Sequence, residues 1–385
     1  MDYDDIIEQV RESVARISAE FPGEYWRNKD RKQEYPAEFV QALTDAGLLA
    51  CLIPEEFGGS GLPLRVAAEI VQTIHQNGGN AAACHAQMYT MGTLLRHGSA
   101  EQKSRYLPAI ASGELRLQAF GVTEPTAGTD TTSISTTAVR DGDRYIVNGQ
   151  KVWISRAEYS DLMILLARTT SKEKASKRTK GLSVFIVDIN EAKKYGMVIR
   201  PIRTMLNHAT TEIFFENVPV PAENLIGNEG DGFSYILSGM NAERILIAAE
   251  CIGDANWFID KATRYACERK VFGRPIGQNQ GIQFPIARAY AQTQAATLMV
   301  QKAVDLYDRG QDCGAEANMA KMLASEASWA AADMCMQTHG GFGLAEEYDI
   351  ERKFRETRLY QIAPISTNLI LAYLGEHRLG LPRSY

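Results

Sequence analysis

The sequence predicts an α+β protein, mostly α-helical, in which a β region separates two helical regions. Between residues 2 and 113 apolar residues recur at helical spacing, as in PAEFVQALTDAGLLACLIP. Short segments rich in β-branched and aromatic residues occupy 115–226, and helical spacing returns from about residue 231. No strand leads into a helix through a GxGxxG motif, so a doubly wound dinucleotide fold is disfavoured.

Chain length and these changes of pattern together predict three domains. The chain has 385 residues, whereas single domains centre at ~100–150 residues. We expect an N-terminal α-helical domain over 1–114, a middle β domain over 115–230 and a C-terminal α-helical bundle domain over 231–385.

The middle domain is predicted to be an antiparallel β barrel or sandwich. Its candidate strands are RYIVNGQKVWIS, DLMILLART, GLSVFIVDI, MVIRPI and TEIFFENVPVP. Turn-forming pairs such as Asp141-Gly142 and Asn148-Gly149 divide this region, which is typical of hairpin-connected strands.

Composition narrows the classes of function. The net charge is −6 and the basic residues are spread along the chain, so nothing indicates a nucleic-acid surface. The six cysteines form no CxxC pair and show no zinc-ligand spacing with histidine, which argues against a zinc site and fits a reduced compartment. The acidic N-terminus reads as a helix rather than a signal or transit peptide, and no apolar run reaches ~18 residues. We therefore expect a soluble cytoplasmic protein with no bound metal.

The segment LQAFGVTEPTAGTD, residues 117–130, is the first candidate for a ligand site. A strand there runs into a loop of small and hydroxyl residues, which can bring backbone N–H groups close to a flat heterocycle or a pyrophosphate. Alone, it could equally be an ordinary threonine-rich loop. Further segments follow it, among them NGQKVWIS, ERKVFGRPIGQNQGIQF and QTHGGFG.

These motifs, in this order, resemble those of the acyl-CoA dehydrogenase family of FAD flavoproteins. The resemblance covers essentially the whole chain and includes PEEFGGSGL (54–62), FGVTEPTAGTD (120–130), KVWIS (151–155), ERKVFGRPIGQNQ (268–280) and QTHGGFG (337–343). It implies the family's α, β, α fold with a C-terminal four-helix bundle, bound FAD, and a homotetramer or homodimer. It also implies dehydrogenation of an acyl-CoA thioester in fatty acid β-oxidation, with electrons passed to an electron-transferring flavoprotein.

The resemblance also implies which residues bind the cofactor and the substrate. Those lining the flavin and the near part of the acyl-CoA would be Phe120, Val122, Thr123 and Thr129, with Trp153, Ile154 and Ser155 flanking the ring. Those completing the FAD of a neighbouring subunit would be Arg269, Phe272, Gln280, Gln337, Gly340 and Gly341. A hydroxyl pair, Ser366 and Thr367, would contact FAD, and the substrate would meet Thr129, Asn241 and Arg244.

The C-terminal segment RLYQIAPISTNLIL departs from the family pattern. Relatives commonly read Y-E-G-T-S here, and the glutamate takes the α-proton of the substrate. Pro364 stands at that position and Ile365 replaces the glycine. Proline cannot abstract a proton, so the base is expected elsewhere.

Glu243 is the predicted catalytic base. Ile236, Met240, Glu243 and Ile247 are spaced 4, 3 and 4, which places the acid on the apolar face of a helix. A minority of the family, notably isovaleryl-CoA and long-chain enzymes, carries its base at this position in an E-R dipeptide, which Glu243-Arg244 matches. The alternative is that Glu243 bonds to a distant arginine or lysine.

Two other functions stay open at this point. An oxygen-using oxidase or monooxygenase of the same fold would share the cofactor motifs, and a non-catalytic FAD-binding assembly protein would account for Pro364. The length and branching of the acyl chain do not follow from the sequence.

Overall fold

A computed structural model describes residues 3–384 of the chain. Within that range the α-helices are Asp4–Glu20 (α1), Gly23–Lys32 (α2), Ala37–Asp45 (α3), Leu64–Gln76 (α4), His85–His97 (α5), Ala100–Ser112 (α6), Ile189–Lys193 (α7), Gly232–Glu268 (α8), Gln280–Asp308 (α9), Gly314–His339 (α10), Ile350–Arg358 (α11) and Thr367–His377 (α12). The strands are Leu117–Gly121 (β1), Thr137–Asp141 (β2), Arg144–Ser155 (β3), Leu162–Arg168 (β4), Leu182–Asp188 (β5), Met197–Pro201 (β6), Thr210–Pro221 (β7), Leu225–Ile226 (β8), Lys270–Val271 (β9) and Arg274–Pro275 (β10). The predicted α, β, α order and the mostly helical fold class are confirmed.

Strands β1 to β8 form one sheet in the order β6-β7-β3-β2-β4-β5-β8, with β1 beside β4. Most pairings are antiparallel, as expected, but β4 runs parallel to both β1 and β2. The β2–β3 hairpin lies between β1 and β4 in the chain. Strands β9 and β10 form a separate two-stranded hairpin.

The two predicted turns had different outcomes. The β2–β3 hairpin turns at Gly142, which has φ +61, so that prediction is confirmed. The prediction for Asn148-Gly149 is wrong, because both residues lie inside β3. Gly149 has φ +147 and marks a shift of register against β7, so pairing with that strand overrides the local preference for a turn.

The chain divides into two compact units. The first, here called the sheet unit, comprises Gln33–Leu62 and Ala82–Met240 and contains the large sheet with α3, α5 and α6. Alternate residues of β4 enter two different hydrophobic clusters, one on each face of the sheet. Strand β4 is buried along its whole length for this reason, and no polar residue precedes its terminal Arg168.

The second unit, here called the helical unit, comprises the described residues of Met1–Lys32 together with Pro63–Ala81 and Asn241–Tyr385. It contains α1, α2, α4, α9 to α12 and most of α8. Its core includes alanines from three long helices, Ala255 in α8, Ala289 in α9 and Ala331 in α10. Small side chains at such positions let helices pack closely.

Candidate active site

The loop that follows β1 in the sheet unit is held together by one buried acid, Glu124. Its carboxylate accepts hydrogen bonds from the backbone N–H groups of Ser135 at 2.6 Å and Thr136 at 2.9 Å, and from the Lys151 ammonium at 2.8 Å. Burial opposes ionisation of this carboxyl, but the Lys151 charge and the hydrogen bonds outweigh it and lower the pKa of Glu124 to about 2. The two ends of the loop are therefore joined around a charged side chain.

Lys151 in β3 fixes the same loop against the sheet. Besides pairing with Glu124, its ammonium donates to the Val122 carbonyl at 3.0 Å. The N–H of Val152 donates to the Thr123 carbonyl, also at 3.0 Å. Val122 and Thr123, two of the residues predicted to meet the flavin, therefore lie beside the strand that carries KVWIS.

Glu124 and Lys151 were not among the predicted site residues, although both lie inside the motifs on which the resemblance depends. The signal that could have found Lys151 is its place in β3, where strand alternation directs it to the buried face. A buried lysine needs a partner, and Glu124 lies 27 residues earlier in the chain. Nothing in the spacing of the two residues predicts that they meet.

Trp153 lies in a β-bulge that leaves its ring at the surface. The register between β3 and β7 shifts between Lys151 and Ile154, and Trp153 has φ +62. Its exposed fraction is 59%, whereas Ile154 is buried and Ser155 is half-buried. A positive φ is costly for a bulky residue and a bulge redirects side chains, so this arrangement suits contact with a flat ligand.

The other predicted residues of the sheet unit, Phe120 and Thr129, differ in exposure. Phe120 is half-buried in β1, and its ring centroid lies 6.2 Å from that of Tyr89 in α5. Thr129 is exposed, and the adjacent Asp130 accepts a hydrogen bond from the Arg178 guanidinium at 2.7 Å. The loop around Thr129 is thus anchored by its neighbour while Thr129 itself is accessible to a ligand.

A cavity of about 610 Å³ in the helical unit brings together four of the predicted cofactor residues, namely Arg269, Gln337, Gly340 and Gly341. A Cβ atom added at either glycine would meet no atom within 4 Å, and Gly340 has φ +58. The backbone there is open to close approach by a ligand. A guanidinium fork and an amide beside an open backbone match the acceptors of a diphosphate, so these residues fit the diphosphate of FAD.

Phe272 and Gln280, the other residues predicted for this part of the cofactor, do not line that cavity. Phe272 lies in the turn between β9 and β10, with φ +51 and a fully exposed side chain. Gln280 is the first residue of α9 and is also exposed. Val271, which is adjacent to Phe272 and lines the cavity, is 39% exposed, so this hairpin presents two neighbouring apolar side chains at the surface.

Glu243 is buried in α8 and is only 8% exposed. Arg244 beside it is also buried, and its guanidinium donates to the side-chain oxygen of Asn241 at 3.0 Å. Burial lowers the pKa of Arg244 against the opposing effect of the Glu243 charge. Asn241 and Arg244 are thus joined by a hydrogen bond next to Glu243 in α8, while the role of each of these residues stays a prediction.

The C-terminal segment at the family's usual base position carries no acid. From Tyr360 to Thr367 no side chain is a carboxylate, and Pro364 is half-buried there. Ser366 caps α12, because its hydroxyl accepts a hydrogen bond from the Leu369 N–H at 3.4 Å. The predicted hydroxyl pair, Ser366 and Thr367, therefore lies at the start of α12.

Residues 3–384 contain no group of three or more histidine, cysteine, aspartate or glutamate side chains arranged to hold a metal ion. Nor does that part of the chain contain a helix both long and apolar enough to span a bilayer. The six cysteines are free thiols, and only Cys267 is exposed.

Family models for the N-terminal, middle and C-terminal domains of acyl-CoA dehydrogenase match residues 4–114, 119–218 and 230–368, respectively. Acyl-CoA dehydrogenase FadE12 of Mycobacterium tuberculosis is 35% identical over 381 residues, which cover 98% of this chain and 96% of that relative.

Two solved structures have the same fold across nearly their whole length. Glutaryl-coenzyme A dehydrogenase in complex with glutaryl-CoA has a TM-score of 0.92 and 30% identity, and the match covers 100% of this chain and 98% of that one. The prolyl acyl carrier protein oxidase AnaB has a TM-score of 0.91 and 25% identity, with 99% and 100% covered.

Proposed function

Because the chain belongs to the acyl-CoA dehydrogenase family, whose members are FAD-dependent oxidoreductases, we propose that it introduces an α,β double bond into an acyl-CoA thioester. The observation that carries the mechanism is the buried carboxylate of Glu243 in α8. The segment at the usual position of the base offers no acid, so Glu243 is the best candidate in its place.

Glu243 acts as the general base that removes the α-proton. This proton is weakly acidic, so the base must be fixed, and the charge that develops on the thioester must be stabilised. The carboxylate is fixed by its place in α8, and Arg244, whose pKa is lowered by burial and raised by the charge of Glu243, lies next to it in the chain. Bound FAD supplies the acceptor for the hydride that leaves the β-carbon.

The loop from Val122 to Thr136 and the bulge at Trp153 hold the flavin end of the cofactor. Glu124 and Lys151 keep the backbone of that loop in one position, so Val122 and Thr123 need no reordering when the cofactor binds. The hydroxyl of Thr129 is accessible and is assigned to the thioester end of the substrate.

Arg269, Gln337, Gly340 and Gly341 hold the FAD diphosphate. The exposed apolar side chains of Val271 and Phe272 beside this cavity support a second copy of the chain as its neighbour, and therefore a homodimer or homotetramer. The proposed electron acceptor is an electron-transferring flavoprotein.

A flavin-dependent oxidase is the second candidate, because one similar structure is that of an oxidase acting on an acyl carrier protein. Acyl-CoA dehydrogenase FadE12 and glutaryl-coenzyme A dehydrogenase are 35% and 30% identical to this chain, against 25% for the oxidase, which favours the first function. The non-catalytic alternative is set aside, since these relatives are enzymes.

The test is anaerobic reduction of the protein-bound flavin by a panel of short, branched and long acyl-CoA esters. We expect a yellow protein with about one FAD per chain whose flavin is bleached by at least one ester but not by free CoA. Slow return of the colour in air supports a dehydrogenase, whereas fast return supports the oxidase. A protein that cannot be reconstituted with FAD would contradict the proposal.

A further inference from the structure

The segment between Tyr360 and Ser366 in the helical unit is held at both ends by buried polar side chains. At its start, the Tyr360 hydroxyl donates to the Glu250 carboxylate at 2.7 Å. At its end, the Lys321 ammonium donates to the Ile365 carbonyl at 2.8 Å. Tyr360 is 2% exposed, and the side chains of Glu250 and Lys321 are fully buried. Pro364 lies between these two contacts.

Lys321 is an unusual side chain for the interior of a helical bundle. Among residues 3–384, the Lys321 ammonium makes a single hydrogen bond, to the Ile365 carbonyl. No carboxylate in that range lies within ion-pair distance of the ammonium. Burial lowers the pKa of Lys321 to about 8. An apolar side chain of similar length would pack on α10 without this desolvation cost. Lys321 therefore has a specific role, and its contact with the Ile365 carbonyl indicates that this role is to hold the segment.

Glu250 links the segment to the helix that carries the candidate base. It lies two turns after Glu243 in α8, at a spacing of seven residues, so both acids lie on the same side of the helix. Burial and the Glu250 charge raise the pKa of Tyr360 well above its usual value, so its hydroxyl stays protonated and keeps donating. Helix α8 thus fixes both Glu243 and the start of the segment.

We propose that Lys321 and Glu250 are positioning residues that clamp the segment 361–365, so that it shields the reacting carbons from water and oxygen while Glu243 takes the proton. This inference rests on the proposed function. The segment 361–365 carries no acid, and the clamp gives it a role that needs none. Its peptide backbone, rather than a side chain, would be the part that the enzyme uses.

The test compares Lys321→Met with Lys302→Met. Lys302 lies on α9 of the same unit with a largely exposed side chain, and it belongs to no part of the proposed site. We expect Lys321→Met to retain FAD. Hydrogen exchange at the backbone amides of 361–366 should be faster than in the parent. Single-turnover flavin reduction should be slower by ~10-fold, because small misplacements of groups at a reacting centre are costly in catalysis. Lys302→Met should match the parent, and Lys321→Arg should recover part of the loss because it keeps a donor.

Two measurements test the clamp independently of the proposed dehydrogenase function. Amide exchange of 361–366 and reoxidation by oxygen of flavin reduced with dithionite need no acyl-CoA, and both should speed up in Lys321→Met. If Lys321→Met does not fold, Tyr360→Phe serves instead, because it deletes only the hydroxyl that donates to Glu250. Amide exchange and flavin reoxidation should then be faster in Tyr360→Phe as well. Parent values for exchange, reoxidation and single-turnover reduction in the folded variant would overturn the clamp.

Discussion

Two buried lysines, one in each unit of the molecule, hold a loop of the candidate site in place, but their charges are compensated differently. Lys151 donates to the Val122 carbonyl and pairs with Glu124 at 2.8 Å. Lys321 donates to the Ile365 carbonyl and has no carboxylate partner among residues 3–384. Burial lowers the pKa of each to about 8.

The difference indicates two kinds of anchor. In the sheet unit, the Glu124–Lys151 pair and the backbone donors of Ser135 and Thr136 satisfy one another, so the loop is fixed before any ligand binds. In the helical unit, the Lys321 ammonium donates to the Ile365 carbonyl and has no carboxylate within ion-pair distance in the described residues. The first anchor should therefore matter most for stability, and the second for catalysis.

The largest effect on stability is expected from Lys151→Met. The substitution leaves the buried Glu124 without its cation, and breaking such a pair typically costs ~3–5 kcal/mol. Hydrogen exchange in β3 should reveal the loss, together with a lower FAD content because Val122 and Thr123 lose their anchor. Parent-like exchange in β3 would contradict the view that the pair fixes the loop.

The double variant Lys151→Met and Glu124→Gln sharpens this prediction. Removing both charges avoids the unpaired carboxylate, so the double variant should be more stable than Lys151→Met alone. Glutamine keeps an acceptor for the Ser135 and Thr136 N–H groups. Strictly additive losses would mean that the two side chains do not interact.

Acid should destabilise the sheet unit through Glu124. The folded pKa of Glu124 is about 2 and lies below the ordinary glutamate value of 4.5, so its contribution is fully present above about pH 4.5 and is lost as pH falls toward 2. Thermal unfolding between pH 6 and pH 3 should follow a shallower slope in Glu124→Gln than in the parent. Equal slopes would mean that Glu124 does not titrate with folding in this range.

The smallest effect is expected from Thr129→Val in the anchored loop. Loss of one hydrogen bond to the thioester end of the substrate corresponds to about 1 kcal/mol, or several-fold in acyl-CoA affinity. FAD binding should be retained because the anchors of the loop are untouched. Loss of FAD with unchanged acyl-CoA affinity would instead assign Thr129 to the cofactor.

Contiguous patterns were predictable from the sequence, and contacts between distant residues were not. The helical and strand regions followed from periodicity, and the motif around Trp153 identified an element that the structure places at the surface. The Glu124–Lys151 pair and the Tyr360–Glu250 contact join residues 27 and 110 positions apart, so no local spacing reveals them. Asn148-Gly149 failed as a turn because β7 pairs across it.

The central claim is that Glu243 replaces the missing acid of the C-terminal segment, and anaerobic single-turnover flavin reduction of Glu243→Gln tests it most directly. The amide is nearly isosteric, so fold, FAD content and acyl-CoA binding should persist, while the rate should fall by ~10²–10⁴-fold, as is typical when a general base is removed. Pro364→Glu in that background should restore part of the rate, limited by crowding from Ile365. Flavin reduction of Glu243→Gln at the parent rate with any good substrate would contradict the claim.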